Sequence, residues 1–223
     1  MYSIDLSKIT LKELKKITQS IDLIPSRKIL LLNIDAIFKK LESANLKTMS
    51  DLQEFLKKKS AIPKIAKDFS IDENYLIILN REVNSYVSKP IKLDLLEVFN
   101  KSELNKLENR KIKNTKQLYE IAKNRIDRKV LSNDLKIDID KLTTSLELID
   151  LLRVNGIGPT FAILLHMYGI KNKDIYYKKS NAEIANLHND YVKNNNINFH
   201  TIGEKDAEFC KRYCKLLDSD IEW

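Results

Sequence analysis

The residues best placed to do chemistry lie in LLRVNGIGPTFAILL, the stretch from Leu151 to Leu165. Two apolar runs of helical period meet there at a Gly-hydrophobic-Gly turn. Gly156 and Gly158 permit backbone angles and close approaches that a side chain forbids. Pro159 suits the first turn of the second helix, where a missing N–H does no harm, and Ala162 lets the two helices pack closely. A helix that opens on such a turn points unpaired backbone N–H groups outward, and with the helix dipole these make an anion site.

Other reactive side chains are scattered. Cys210 and Cys214, with His200 upstream, offer metal-binding types, but a structural zinc site needs about four ligands and nothing completes this set. Ala207, Cys210, Cys214 and Leu217 instead form one stripe at helical spacing, as buried small hydrophobes do. His166 and His188 stand alone, His166 in an apolar run where a packed, hydrogen-bonded ring is expected. Asp138 with Asp140 opens a helix, and Asp218 with Asp220 lies in a polar tail. No nucleophile–base arrangement, phosphate-binding loop or dinucleotide fingerprint is present. The expectation is no catalytic residue, no metal, no cofactor and no small-molecule substrate. Basic clusters occur at Lys57–Lys58–Lys59, at Lys111 with Lys113, and at Arg125, Arg128 and Lys129; such runs usually mark a solvated helix face. Tyr176–Tyr177–Lys178–Lys179 interleaves aromatic and basic residues as single-strand-binding surfaces do.

Net charge is +8 over 223 residues, and it is unevenly spread. Residues 1–154 carry 30 Lys and Arg against 22 Asp and Glu, whereas residues 155–223 carry nine of each. A basic balance accompanies polyanion partners; a Lys- and Asn-rich, Arg-poor composition drift produces the same excess.

The elements that must position these residues are helices. Hydrophobic residues are 43% and charged residues 31%, a globular balance, and four Gly with four Pro are too few breakers for a many-stranded fold. No apolar run approaches the roughly 20 residues that span a bilayer. The N-terminus reads as neither signal nor anchor, and the two cysteines suggest no disulfide framework, so a cytoplasmic location is expected.

The chain also resembles itself. The segment from Ile29 aligns without a gap on the segment from Leu95, at an offset of 66. Apolar positions coincide at Phe38 and Leu104, Leu41 and Leu107, Leu46 and Ile112, Leu52 and Leu118, and on to Leu76 and Leu142. A third copy starts at Leu151, with Leu165 on Leu107 and Ile170 on Ile112, and carries an insertion at its glycine turn. The expected organisation is an N-terminal helical segment (1–28) and three repeats (29–90, 91–150, 151–223), with Lys89–Pro90 as a linker and Asn194–Asn195–Asn196 as a loop. Capping signals agree: Thr10 with Glu13, Thr48 with Asp51, and Asn114 with Gln117 read as capping boxes. Ser26, Asp35, Asp72 and Asp138 read as single caps.

The glycine turn resembles the helix-hairpin-helix pattern. Through LIPSRKILL, YLIILNREVNSYVSKPIKL and LELIDLLRVNGIGPTFAILLHMYGI, nearly the whole chain resembles an uncharacterised bacterial family, a domain of unknown function related to the helix-hairpin-helix group. The resemblance implies an all-α fold of tandem helix-hairpin-helix units, SAM-like bundles of short helices. It also implies descent from nucleic-acid-binding proteins in which the hairpin amides hold a backbone phosphate. Carried over to this chain, the contact positions are Gly156, Ile157, Gly158 and Thr160. Thr160 departs from the Lys or Arg that strong DNA binders of the group carry. Copies one and two have Asn33–Ile34–Asp35 and Asn100–Lys101–Ser102 instead of glycines, and Asp35 would set a carboxylate where a phosphate should sit.

The functional expectation is a non-catalytic protein that binds DNA or RNA through backbone phosphates without sequence specificity. The alternative is a protein-interaction or scaffold module whose hairpins are purely structural. A weaker third reading is an accessory subunit of a nucleic-acid enzyme.

Overall fold

A computed structural model describes residues 1–195 and 200–223. Among the described residues there are thirteen α-helices and no strands, so the all-α expectation holds. No helix among them is long and apolar enough to cross a membrane. The chain divides into two compact units, Asp5–Val87 and Met1–Ile4 with Ser88–Trp223.

The smaller unit holds α1 (Leu11–Ser20), α2 (Ile34–Ser43), α3 (Met49–Leu56), α4 (Ile62–Phe69) and α5 (Glu73–Asn84). Its helix starts are written in local chemistry. Thr10 Oγ1 accepts from Glu13 N–H at 3.2 Å while Glu13 Oε2 accepts from Thr10 N–H at 2.8 Å, and Thr48 with Asp51 repeats the exchange. Asp72 Oδ1 accepts from Tyr75 N–H at 2.8 Å. Leu14, Leu41, Leu52, Leu56, Leu76 and Leu79 are fully buried and form its core.

The larger unit holds α6 (Lys101–Asn109), α7 (Thr115–Ala122), α8 (Arg125–Leu135), α9 (Ile139–Leu152), α10 (Pro159–Met167), α11 (Lys173–Lys178), α12 (Asn181–Asn194) and α13 (Glu204–Leu216). Helix α9 is its axis and packs against α7, α8, α10 and α11, while α13 packs on α11 and α12. Leu107, Leu118, Leu142, Leu146, Ile149, Leu151 and Leu165 are fully buried along this spine.

Backbone angles recur at fixed spacing. Asn45 and Lys111, 66 apart, follow α2 and α6 in the left-handed region with φ of 61° and 62°, and Gly169, a further 58 on, follows α10 at 80°. Ser70 and Lys136, also 66 apart, both have φ 49°. After α6, Lys111 N–H reaches Glu108 O (2.8 Å) and Ile112 N–H reaches Leu107 O (2.9 Å). After α10, Gly169 and Ile170 bond to His166 and Leu165 in the same way, at 3.0 and 2.9 Å. This double closure satisfies the last carbonyls of each helix and tucks an apolar residue under it.

Several local expectations need correction. Ser26 does not cap; it lies inside a 3-10 turn, Pro25–Leu31, whose cap is Ile24. Asn33, not Asp35, caps α2, because its left-handed backbone already turns the chain into the helix. Asn114 accepts from Gln117 N–H, but Gln117 Oε1 takes Lys113 N–H, one residue earlier than a capping box requires. Of the expected loop Asn194–Asn195–Asn196, Asn194 ends α12, Asn195 caps it, and Asn196 lies outside the described residues.

The larger unit is clasped by a buried cation, Arg153, which is 1% exposed. Its Nη1 donates to Asp150 Oδ1 at 2.7 Å and its Nε to Tyr2 O at 3.0 Å. Its Nη2 donates to Met1 O and Asp218 O at 2.8 and 2.9 Å. The guanidinium lies 4.8 Å from the centre of the Tyr119 ring, on its face. Asp150 in turn accepts Lys173 N–H on Oδ2 at 2.9 Å. Burial pushes the Asp150 carboxyl up, opposed by Arg153 and by that amide. Removing Arg153 therefore strands a buried carboxylate and three carbonyls. Arg153→Met should lower the free energy of unfolding by about 3–5 kcal/mol, read from urea-unfolding midpoints, and adding Asp150→Asn should recover part of the loss. An unchanged midpoint for Arg153→Met would show that the clasp adds no stability.

Candidate functional site

Helix α9 ends at Leu152, and Arg153 caps it. The chain then turns through residues 154–158 into α10. The side chains of Val154 and Ile157 are buried, and Ile157 N–H donates to Val154 O at 3.1 Å, so the loop is pinned from below. Ala162 is fully buried where α10 packs on α9.

The two glycines do different jobs. Gly156 has φ +96°, and a Cβ there would stand 2.7 Å from Cys210 Sγ and 3.3 Å from the Phe209 ring on α13. Conformation and crowding both demand glycine. Gly158 has φ −88° and ψ 172°, extended backbone that any residue adopts, and a Cβ there would meet nothing within 4 Å. Gly158 caps α10 without offering a side chain. Pro159 has no N–H, so Thr160 and Phe161 carry the amides of the first turn that no side chain caps. Gly156, Gly158 and Thr160 are exposed, whereas Ile157 can offer only its backbone.

The starts of α6 and α2 are arranged in other ways. Asn100 Oδ1 accepts from Glu103 N–H at 2.9 Å, and Glu103 Oε2 accepts both Asn100 N–H (2.9 Å) and Lys141 Nζ (2.8 Å). At α2, Asp35 sets its carboxylate in the first turn, 2.9 Å from Lys15 Nζ.

Beside Gly158 a cleft of about 220 Å3 runs between the start of α10 and the end of α12. Phe161 and Leu164 form one wall; His188, Tyr191 and Val192, at helical spacing on α12, form the other. The Phe161 and His188 rings meet edge to face, 5.3 Å apart. No Lys or Arg lines it.

The remaining candidates resolve as follows. Cys210 and Cys214 are buried with Ala207 and Leu217, the expected stripe. Burial pushes the Cys210 thiol up to about 11 and the Cys214 thiol up to about 12, so both are neutral near pH 7. No group of three or more His, Cys, Asp and Glu among the described residues could hold a metal ion. His166 Nε2 bonds to Glu147 Oε2 at 2.6 Å, and His200 is exposed. Arg128 leaves the expected basic surface: it is 3% exposed, and its guanidinium serves the Ala122 (3.1 Å) and Glu222 carbonyls. Tyr176 is fully buried, so of the aromatic-basic run only Tyr177 offers a ring outward, with Lys215 Nζ 5.2 Å from its centre. No motif in the sequence marks Arg153 or Tyr191. In the sequence Arg153 is only a lone cation in an apolar run, with nothing to mark its main-chain acceptors, and Tyr191 shows only its i,i+3 spacing from His188.

Residues 97–191 match the family model of a domain of unknown function (DUF4332). The matched span includes the whole hairpin and the cleft walls as far as Tyr191. Comparison with the curated proteins and with the solved structures finds no match to the chain.

The contrast between the glycines is measurable by thermal and urea unfolding. Gly156→Ala should cost about 1–3 kcal/mol through strain and overpacking, whereas Gly158→Ala should cost about 1 kcal/mol or less as a poorer cap. Equal losses at the two positions would refute this division of labour.

Proposed function

We propose that this chain is a non-catalytic nucleic-acid-binding protein built from three helix-hairpin-helix-like units, and that the third unit holds a backbone phosphate of DNA or RNA at Gly156–Thr160. One observation carries the reading. Gly158 has neither the backbone angle nor the crowding that would demand glycine, and its lack of a side chain leaves the amides of α10 open. Open amides at a helix start favour an anion. The cap and capping box at Asn100 and the carboxylate at Asp35 restrict this role to the third unit. The common left-handed angles after α2, α6 and α10 support the three-unit reading. Because main-chain amides read phosphate and not base edges, the binding is indifferent to base sequence.

A second reading, a protein-interaction module, draws on α8, where Ile126 and Val130 lie one turn apart and are 73% and 53% exposed.

Anisotropy titrations with labelled single- and double-stranded oligonucleotides at about 50 and about 200 mM salt separate the two, since phosphate neutralisation releases counterions. The expected result is affinity that falls with salt and does not depend on base order. Gly158→Asp supplies both a helix cap and a carboxylate at the phosphate position, so it should keep or raise the melting temperature while cutting affinity at least about tenfold. No affinity of the wild-type protein at low salt, or wild-type affinity in the Asp variant, overturns the phosphate reading.

A further inference from the structure

The cleft beside the hairpin is not explained by a phosphate alone. Gly158 and Thr160, at the uncapped start of α10, line it together with Phe161, Leu164 and the His188–Tyr191 face of α12. At about 220 Å3 it is smaller than the roughly 300–1,000 Å3 of pockets that take drug-sized ligands. A cleft of that size is on the scale of a single planar ring system.

A second observation points to a ligand with a polar edge. His188 is 8% exposed, its Nδ1 lies 3.3 Å from Asn189 Oδ1, and its Nε2 has no partner among the described residues. His188 lines the cleft, with its ring edge to face against Phe161. A ring nitrogen kept unpaired in an otherwise apolar slot is poorly matched by aliphatic side chains and well matched by a heterocycle that presents both a face and a hydrogen-bonding edge. Tyr191, partly exposed on the same wall, supplies an aromatic surface.

We propose that this cleft takes an unpaired nucleobase whose own or neighbouring phosphate rests on the hairpin amides, so that the site binds a single strand or a frayed end in preference to intact duplex. This rests on the phosphate reading above and adds the base to it. Bases paired within a duplex are stacked and cannot enter a slot between two helices without being flipped out. Stacking tolerates every base, so the preference is for strandedness and not for sequence.

The test uses the full chain and two short probes of equal length: a single-stranded oligonucleotide, and an oligomer of the same sugar-phosphate backbone in which every nucleotide is abasic. The base-bearing strand should bind about tenfold more tightly, the scale of stacking one base on an aromatic ring. Tyr191→Ala should erase that difference while Tyr191→Phe keeps it, and circular dichroism should show both variants folded. If the abasic oligomer binds as well as the base-bearing one, or Tyr191→Ala retains the preference, the cleft proposal fails and the phosphate reading stands. If neither probe binds, both fail.

Discussion

A guanidinium withdrawn from water is the constraint on which the larger unit depends. Burying a charge is costly unless its donors find good acceptors, and Arg153 finds them in segments far apart in the chain: Met1 and Tyr2, Asp150 on α9, and Asp218 beyond α13. Asp220 extends the cluster. Burial would raise its pKa, but bonds from Lys123 and Tyr119 and the nearby Arg153 hold its carboxyl well below the usual carboxylate range. Lys173, 2% exposed, is matched to Asp174 at 2.8 Å and to Ser219 at 2.6 Å. Since Arg153 is also the residue on which α9 stops, the hairpin begins at a residue tied to segments from both ends of the chain.

From that anchor the hairpin is held twice more, by the apolar side chains of Val154 and Ile157 below and by Gly156 against α13. Gly158 caps α10, but neither its backbone angle nor its surroundings require glycine there. The same helix-start chemistry thus appears in two forms within one unit. At α6 the Asn100 side chain accepts the Glu103 amide, and at α10 no side chain does the same. The difference is one side chain, Asn100 or Gly158, with little change in how each helix starts.

What could be read in the sequence follows from the range of the interactions. Caps span three residues, so Thr10, Thr48, Asp72 and Asp138 were legible, as were leucines whose period matches the helix and the cysteine stripe on α13. Arg153 was not, because three of its acceptors are main-chain carbonyls, which every residue has and no pattern marks. Arg128 looked like its solvated neighbours for the same reason: what buries it is the Glu222 carbonyl, 94 residues away. The distinct roles of Gly156 and Gly158 rest on a dihedral angle and on a sulfur atom in α13. Neither leaves a trace in the motif itself. The cleft combines two helices separated by α11, and only the i,i+3 spacing of His188 and Tyr191 hinted at a shared wall.

The contact between Gly156 and Cys210 has a consequence for how the hairpin moves. The sulfur is buried and lies only 2.7 Å from where a Cβ on Gly156 would stand, so the seated loop helps to screen it from solvent. An alkylating or oxidising reagent must wait for the loop to lift or for α13 to unwind locally, so the pace of modification at this thiol is a clock for that opening. The converse also holds. Once an adduct sits on Sγ it acts as a wedge, and the loop that carries Gly158 can no longer return to its seat.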